Sequence, residues 1–323
     1  MPKAYQKPID SGFGHGSTCL DVVSGIDLTG QTAIVTGGYS GIGIETVRAL
    51  SSAGADVIVP ARRPDAAREA LSHIGGHVAV GTMDLGDLSS VRQFADAFLE
   101  SGKPLDILIN NAGVMACPEG RVGPGWELQF GTNHMGHFAL TKTLMPALQK
   151  ADGARVVALS STAHKISDIR WDDMQFENGS YDKWQAYGQA KTANSLFAVG
   201  LDQKYADQGI RAYGVHPGGI MTPLQRHLPQ EEMIALGWLD KNGEMPEQVK
   251  AIFKTPEQGG ATATWCATSP AMSTLGGVYC EDCNVAQLGD ENSPRWAHVQ
   301  PHAVNEESAE RLWAISEDLL KVA

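Results

Sequence analysis

The sequence predicts a doubly wound α/β domain, a parallel sheet of about seven strands with helices on both faces. Three observations lead there. Short apolar runs alternate with helical stretches at a regular interval, as a sheet covered on both faces requires. The first run passes directly into a glycine-rich turn and then an amphipathic helix. No linker or low-complexity tract divides the chain, so one domain carries the whole pattern.

Residues 1–26 are rich in Gly, Ser and Pro and lack periodicity, and read as an N-terminal extension to a domain spanning 27–323. Buried strands are expected at 32–37, 56–60, 77–82, 105–113, 155–161 and 211–218, with one more short strand within 276–286. Helices are expected at 42–53, 65–73, 88–101, 126–149 and 182–205, with a surface helix at 308–322. Pro64-Asp65 and the run from Asp84 to Ser90 carry helix-start signals. The segment from Leu224 to Phe253 mixes Leu, Met, Ile and Trp238 with prolines and charges. It reads either as a substrate lid, over about 220–253, or as an amphipathic surface helix.

Composition narrows the function. At 42% hydrophobic and 19% charged residues the 323-residue chain is ordinary globular protein. A formal charge of −12 argues against nucleic acid or an anionic membrane as partner. No apolar run of eighteen residues occurs, and the N-terminus lacks the apolar stretch of a signal peptide, so a cytoplasmic protein is expected. Five cysteines, odd in number and scattered, suit a reducing compartment. Cys280 and Cys283 form a lone CxxC, and His134 and His137 lie at i, i+3. Neither has the further ligands a metal site needs, and no metal is expected.

The turn after the first strand reads Thr36-Gly37-Gly38-Tyr39-Ser40-Gly41-Ile42-Gly43. Glycines let the backbone approach a pyrophosphate, and the following helix N-terminus offers it free N–H groups and partial positive charge. At the end of the second strand, where a carboxylate would select a ribose 2′-hydroxyl, stand Arg62 and Arg63. Two guanidiniums match a 2′-phosphate, so NADP(H) is the expected cofactor. Asp84, followed by Leu85, could meet the adenine amino group or could cap the next helix. Tyr187 and Lys191, at i and i+4, share one helix face. A phenol titrates near 10, and a neighbouring ammonium would lower that value toward useful acid–base chemistry.

These motifs, with Asn110-Asn111-Ala112-Gly113, Ser160-Ser161 and His216-Pro217-Gly218-Gly219, stand in the order found in the short-chain dehydrogenase/reductase family, which residues 28–285 resemble. The resemblance implies a Rossmann fold and an oxidoreductase. It implies that Tyr187 protonates a carbonyl oxygen, that Lys191 also holds the nicotinamide ribose, and that Ser161 orients the substrate oxygen. It further implies that Asn133 supports a proton relay, that Ile220 meets the carboxamide and that Thr222 meets phosphate. The spacing of 26 from Ser161 to Tyr187 exceeds the compact pattern. The insertion beginning at Thr162, with its Ser-Ser-x-Ala-His start, resembles the retinol-dehydrogenase-like branch. A small, fairly apolar carbonyl or alcohol substrate and a homodimer or homotetramer follow by analogy. Two alternatives keep the fold: a non-catalytic NADP-binding sensor or scaffold, which would not need Ser161, Tyr187 and Lys191 together, and an epimerase, for which no sugar-nucleotide site is evident.

Overall fold

A computed structural model describes residues 5–321. The main sheet comprises β1 (Thr32–Val35), β2 (Asp56–Ala61), β3 (Val78–Thr82), β4 (Ile107–Asn110), β5 (Arg155–Leu159), β6 (Arg211–Val215), β7 (Val278–Glu281) and β8 (Asn284–Val285). Their order is β8-β7-β6-β5-β4-β1-β2-β3, parallel throughout except that β8 returns antiparallel to β7. Seven strands are therefore parallel, and the short eighth closes one edge.

Successive strand residues face opposite sides, and here both sides are buried. Ile34, Leu108 and Val156 point into one core. Ala33, Val35, Ile107, Ile109 and Val157 point into the other. Each large aliphatic side chain so buried contributes about 2 kcal/mol. On the first side lie α3 (Leu88–Glu100), α4 (Gly136–Lys150), α5 (Lys183–Tyr205) and α7 (Glu306–Lys321). On the second lie α1 (Ile42–Ser52), α2 (Pro64–Leu71) and α6 (Ala261–Thr268). Helix α5 starts where the Asp182 carboxylate accepts hydrogen bonds from the Trp184 and Gln185 amides. It is buried almost all round from Ala186 to Asp202, which explains its lack of an amphipathic stripe.

The stretch expected as one helix from 126 to 149 is broken. Trp126–Glu127 pairs with Arg121–Val122 in a small hairpin, and a π turn at Gly131–Met135 precedes α4. Close approach explains the break: a Cβ on Gly131 would strike Val122, and one on Gly136 would strike the Leu85 carbonyl. The 224–253 segment holds only short helical pieces, Pro223–His227, Gln230–Ala235 and Glu247–Lys250, rather than one amphipathic helix. The described part of residues 1–26 packs on the domain. The Gln6 side chain donates to the Tyr279 and Ala286 carbonyls and accepts from the Tyr279 amide. Cys19, Val22 and Val23 join the core beside α1 and α6.

Candidate active site

The strand order reverses between β1 and β4, and a crevice opens outside their carboxyl ends. Thr36 stitches the two ends together: its Oγ1 accepts from the Asn111 and Ala112 amides, while Asn111 Nδ2 donates to the Thr36 carbonyl. Thr36 gives no signal of this role by residue type until the two strand ends are known to be neighbours. A cavity of about 870 Å³ runs along this edge. Its lining includes Gly37, Tyr39, Ser40, Gly41 and Ile42 at one end, with Arg62, Asp84, Leu85, Asn111, Ala112 and Gly113 beside them. Ser161, Tyr187, Lys191, Pro217, Gly218, Ile220 and Thr222 line the same cavity.

Three predicted residues do not reach it. Gly43 is the second residue of α1, where a Cβ would collide with the Gly37 carbonyl; its smallness permits the helix to seat on the turn. Arg63 is exposed at the head of α2, leaving Arg62 as the guanidinium at the cavity. Asn133 is buried behind the wall, its Oδ1 accepting from Val114 N and its Nδ2 donating to Val114 O. It thereby fixes the strand-end loop. The capping alternative for Asp84 is also settled: Asp87 caps α3, whereas Asp84 Oδ1 accepts from Gly86 N and closes a turn.

The helix-terminal anion site has the required form. Gly37 and Gly41 sit at φ +64° and +55°; Gly43 N donates to the Ser40 carbonyl, and Gly41, as N-cap of α1, places no side-chain cap over the helix N-terminus that faces the cavity. Across the turn, Thr222 lies against Gly41.

Ser161, Tyr187 and Lys191 converge on the opposite stretch. The Ser161 hydroxyl faces the Tyr187 phenol, close enough to stabilise its charged form. Ser161 Oγ also accepts from the Ala163 amide, leaving its own proton to be donated. Lys191 Nζ lies 5.6 Å from the Tyr187 ring centroid and donates to Leu159 O at 2.9 Å. Both groups are buried. Burial pushes the Tyr187 phenol above its ordinary value, opposed by the Ser161 hydroxyl. Burial likewise draws Lys191 from 10.5 down to about 8. The expectation that Lys191 would pull the phenol below 10 therefore does not hold in this structure. Desolvation outweighs an ammonium that is directed at a carbonyl. The phenol is neutral at pH 7 and carries the proton an acid must give.

The other end of the cavity is largely aromatic. Trp184, one turn before Tyr187, packs edge-on against both Tyr187 and Trp238, and Trp238 packs against Phe253. Glu232 pins this lid to α5, accepting from Trp184 Nε1 at 2.8 Å and Lys183 Nζ at 2.5 Å. Trp296 and Arg295 add a wall from the C-terminal segment that sequence reasoning left unassigned.

His134 and His137 are separate buried structural groups: His134 Nε2 meets Ser316 Oγ, and His137 Nε2 meets Thr36 Oγ1. Burial lowers them to about 3 and about 4, so both are neutral. All five cysteines are buried and unpaired, and no cluster of metal-binding side chains occurs among the described residues.

A family model described as short chain dehydrogenase matches residues 31–233, the span from β1 into the lid. The chain belongs to the short-chain dehydrogenase family. It is 44% identical over 306 residues to a probable oxidoreductase of Streptomyces antibioticus, covering 92% of this chain and 100% of that one. It is 37% identical over 315 residues to human retinol dehydrogenase 12, covering 96% and 92%. Among solved structures it resembles the Pseudomonas aeruginosa RhlG/NADP active-site complex, with TM-score 0.60 and 27% identity over 79% of this chain and 95% of that one. The chain is thus an oxidoreductase of a family that binds a nicotinamide cofactor, with retinol-dehydrogenase-like relatives. No helix among the described residues is long and apolar enough to cross a membrane.

Proposed function

We propose that this short-chain dehydrogenase interconverts a fairly apolar ketone or aldehyde and its alcohol, using NADP(H). The convergence of Ser161, Tyr187 and Lys191 on one cavity with the glycine turn is the observation that carries this reading. The cofactor, when bound, supplies or accepts the hydride. The turn from Gly37 to Ile42 would hold its pyrophosphate, Lys191 its nicotinamide ribose, Ile220 its carboxamide and Thr222 a phosphate oxygen.

In reduction, the neutral Tyr187 phenol gives its proton to the carbonyl oxygen. The Ser161 hydroxyl donates to the same oxygen as charge develops there, which stabilises the transition state more than the ground state. The aromatic lid excludes water from the reacting end. Arg62 at the cavity mouth would pair with a 2′-phosphate, and Arg63 adds charge nearby. The named NADP complex of the solved relative supports the same choice for that protein's fold neighbour.

A panel of bulky ketones and aldehydes, followed by NADPH absorbance, tests the reading. Turnover of at least one is expected; tight NADPH binding without turnover on any would replace it with a non-catalytic binding module. Replacing Arg62 and Arg63 with Ala is expected to weaken NADPH by roughly tenfold relative to NADH. An unchanged NADPH/NADH affinity ratio in titration would refute the cofactor assignment. A cytoplasmic location and a homodimeric or homotetrameric state complete the proposal, checked by fractionation and light scattering.

A further inference from the structure

His164 occupies the turn after Ser161 and has no place in the chemistry above, yet it is fully buried and every polar atom of its ring is engaged. Its Nε2 receives the Gln300 backbone N–H at 3.0 Å. A backbone amide can only donate, so Nε2 must carry the lone pair and the ring proton must sit on Nδ1. Nδ1 stands 2.6 Å from the Ser161 carbonyl and so donates to it. Burial holds the ring near 3, so it remains neutral and keeps one donor and one acceptor at working pH.

Each side of the ring leads to part of the site. On the Nδ1 side, the Tyr279 hydroxyl lies 3.3 Å away, and the Ser160 hydroxyl, beside Ser161, donates to the Lys191 carbonyl at 2.7 Å. Buried side chains thus brace the backbone of both Ser161 and Lys191. On the Nε2 side, Gln300 ends the stretch that places Arg295 and Trp296 on the cavity wall. The neighbouring Lys165 Nζ donates to the Pro294 and Ala297 carbonyls of that stretch.

We propose that His164 is a positioning residue held in one tautomer, its Nδ1 side setting Ser161 and its Nε2 side clamping residues 294–300 over the substrate end of the cavity. This rests on the reading of Ser161 as the hydroxyl that orients the substrate oxygen. The two sides have separable consequences. Misplacing Ser161 weakens an interaction made in the transition state and lowers kcat, whereas loosening the wall weakens substrate binding and raises KM.

Two isosteres divide the ring. His164→Asn keeps an N–H where Nδ1 stands and loses the Nε2 acceptor. His164→Gln keeps an acceptor where Nε2 stands and loses the Nδ1 donor. His164→Gln is expected to lower kcat by about tenfold with KM little changed, a displaced catalytic group being costly even at small distances. His164→Asn is expected to raise KM by roughly fivefold with kcat within about twofold of wild type.

A third variant, Gln300→Pro, removes the donor without touching the ring. Gln300 has φ −72°, which proline adopts, and its amide bonds only His164, so the variant tests the clamp even if the histidine variants fail to fold. Trypsin cleavage after the exposed Arg295 provides a readout independent of turnover. It should accelerate in His164→Asn and Gln300→Pro but not in His164→Gln.

Equal kcat and KM changes in the two histidine variants would overturn the division of roles, as would wild-type kcat in His164→Gln. Wild-type tryptic rates in both His164→Asn and Gln300→Pro would overturn the clamp. Absence of turnover by the wild-type protein would instead strike the functional reading, while the tryptic rates would still decide the clamp.

Discussion

Replacing Tyr187 with Phe is expected to lower kcat by about a thousandfold while leaving NADPH affinity within roughly twofold, because positioned proton transfer contributes 10²–10⁴ to such rates. The substitution removes one oxygen from a buried ring and keeps the ring's packing against Trp184 and Lys191. Neither of its two neighbours in the site is suited to take over the proton. The Ser161 hydroxyl is a poor acid at neutral pH, and the Lys191 ammonium is directed at the Leu159 carbonyl. Single-turnover kinetics with a ketone that the wild type reduces would measure the loss directly. Retained turnover would show that the acid lies elsewhere. Because burial keeps the phenol protonated, the wild-type rate of reduction should not fall as pH drops from 8 to 6 on account of Tyr187.

The parts of this site that could be read in the sequence are those fixed by local geometry. A glycine turn between strand and helix and an i, i+4 Tyr–Lys pair follow from spacing, Ser161 follows from the family resemblance, and the structure brings all three to one cavity. Long-range contacts decided the rest. The bonds of Asn133 to Val114 have no sequence signal, because the π turn that aims the side chain depends on how Gly131 and Gly136 pack against distant residues. Arg62 and Arg63 are equivalent in sequence, and only the start of α2 separates the one at the cavity from the one outside it. His164 lies more than a hundred residues from Trp296 and Gln300 along the chain, and no periodicity links it to them. The pH behaviour of Tyr187 and Lys191 was likewise out of reach. Spacing reveals that the two are neighbours but not that both are buried, and burial reverses the expected shift of the phenol.

That burial leads to the second large effect, which separates stability from activity. The ammonium of Lys191 titrates near 8 in the folded protein and at its ordinary 10.5 when exposed. At 1.36 kcal/mol per pH unit, the difference corresponds to a cost of about 3 kcal/mol for holding the charge inside. Below pH 8 both folded and unfolded chains carry the proton, and this cost is fully present. Between about 8 and 10.5 the unfolded chain retains a proton that the folded chain has released, so stability rises with pH across that window. Lys191→Met should therefore be more stable than wild type at pH 7 by about 2–3 kcal/mol, the gain vanishing above pH 10.5. The Leu159 carbonyl that loses a donor still accepts from Asn194 Nδ2 at 2.8 Å, so no buried acceptor is stranded. The same variant should lose turnover by at least about a hundredfold, since the proposed hold of Lys191 on the nicotinamide ribose is gone. Wild-type reduction should correspondingly weaken as pH rises through 8, a limb absent from the residual activity of the variant. Urea denaturation at pH 7 and pH 10.5 beside a pH–rate profile measures both halves. A less stable Lys191→Met at pH 7 would mean that the ammonium has protein partners stronger than the single carbonyl at 2.9 Å.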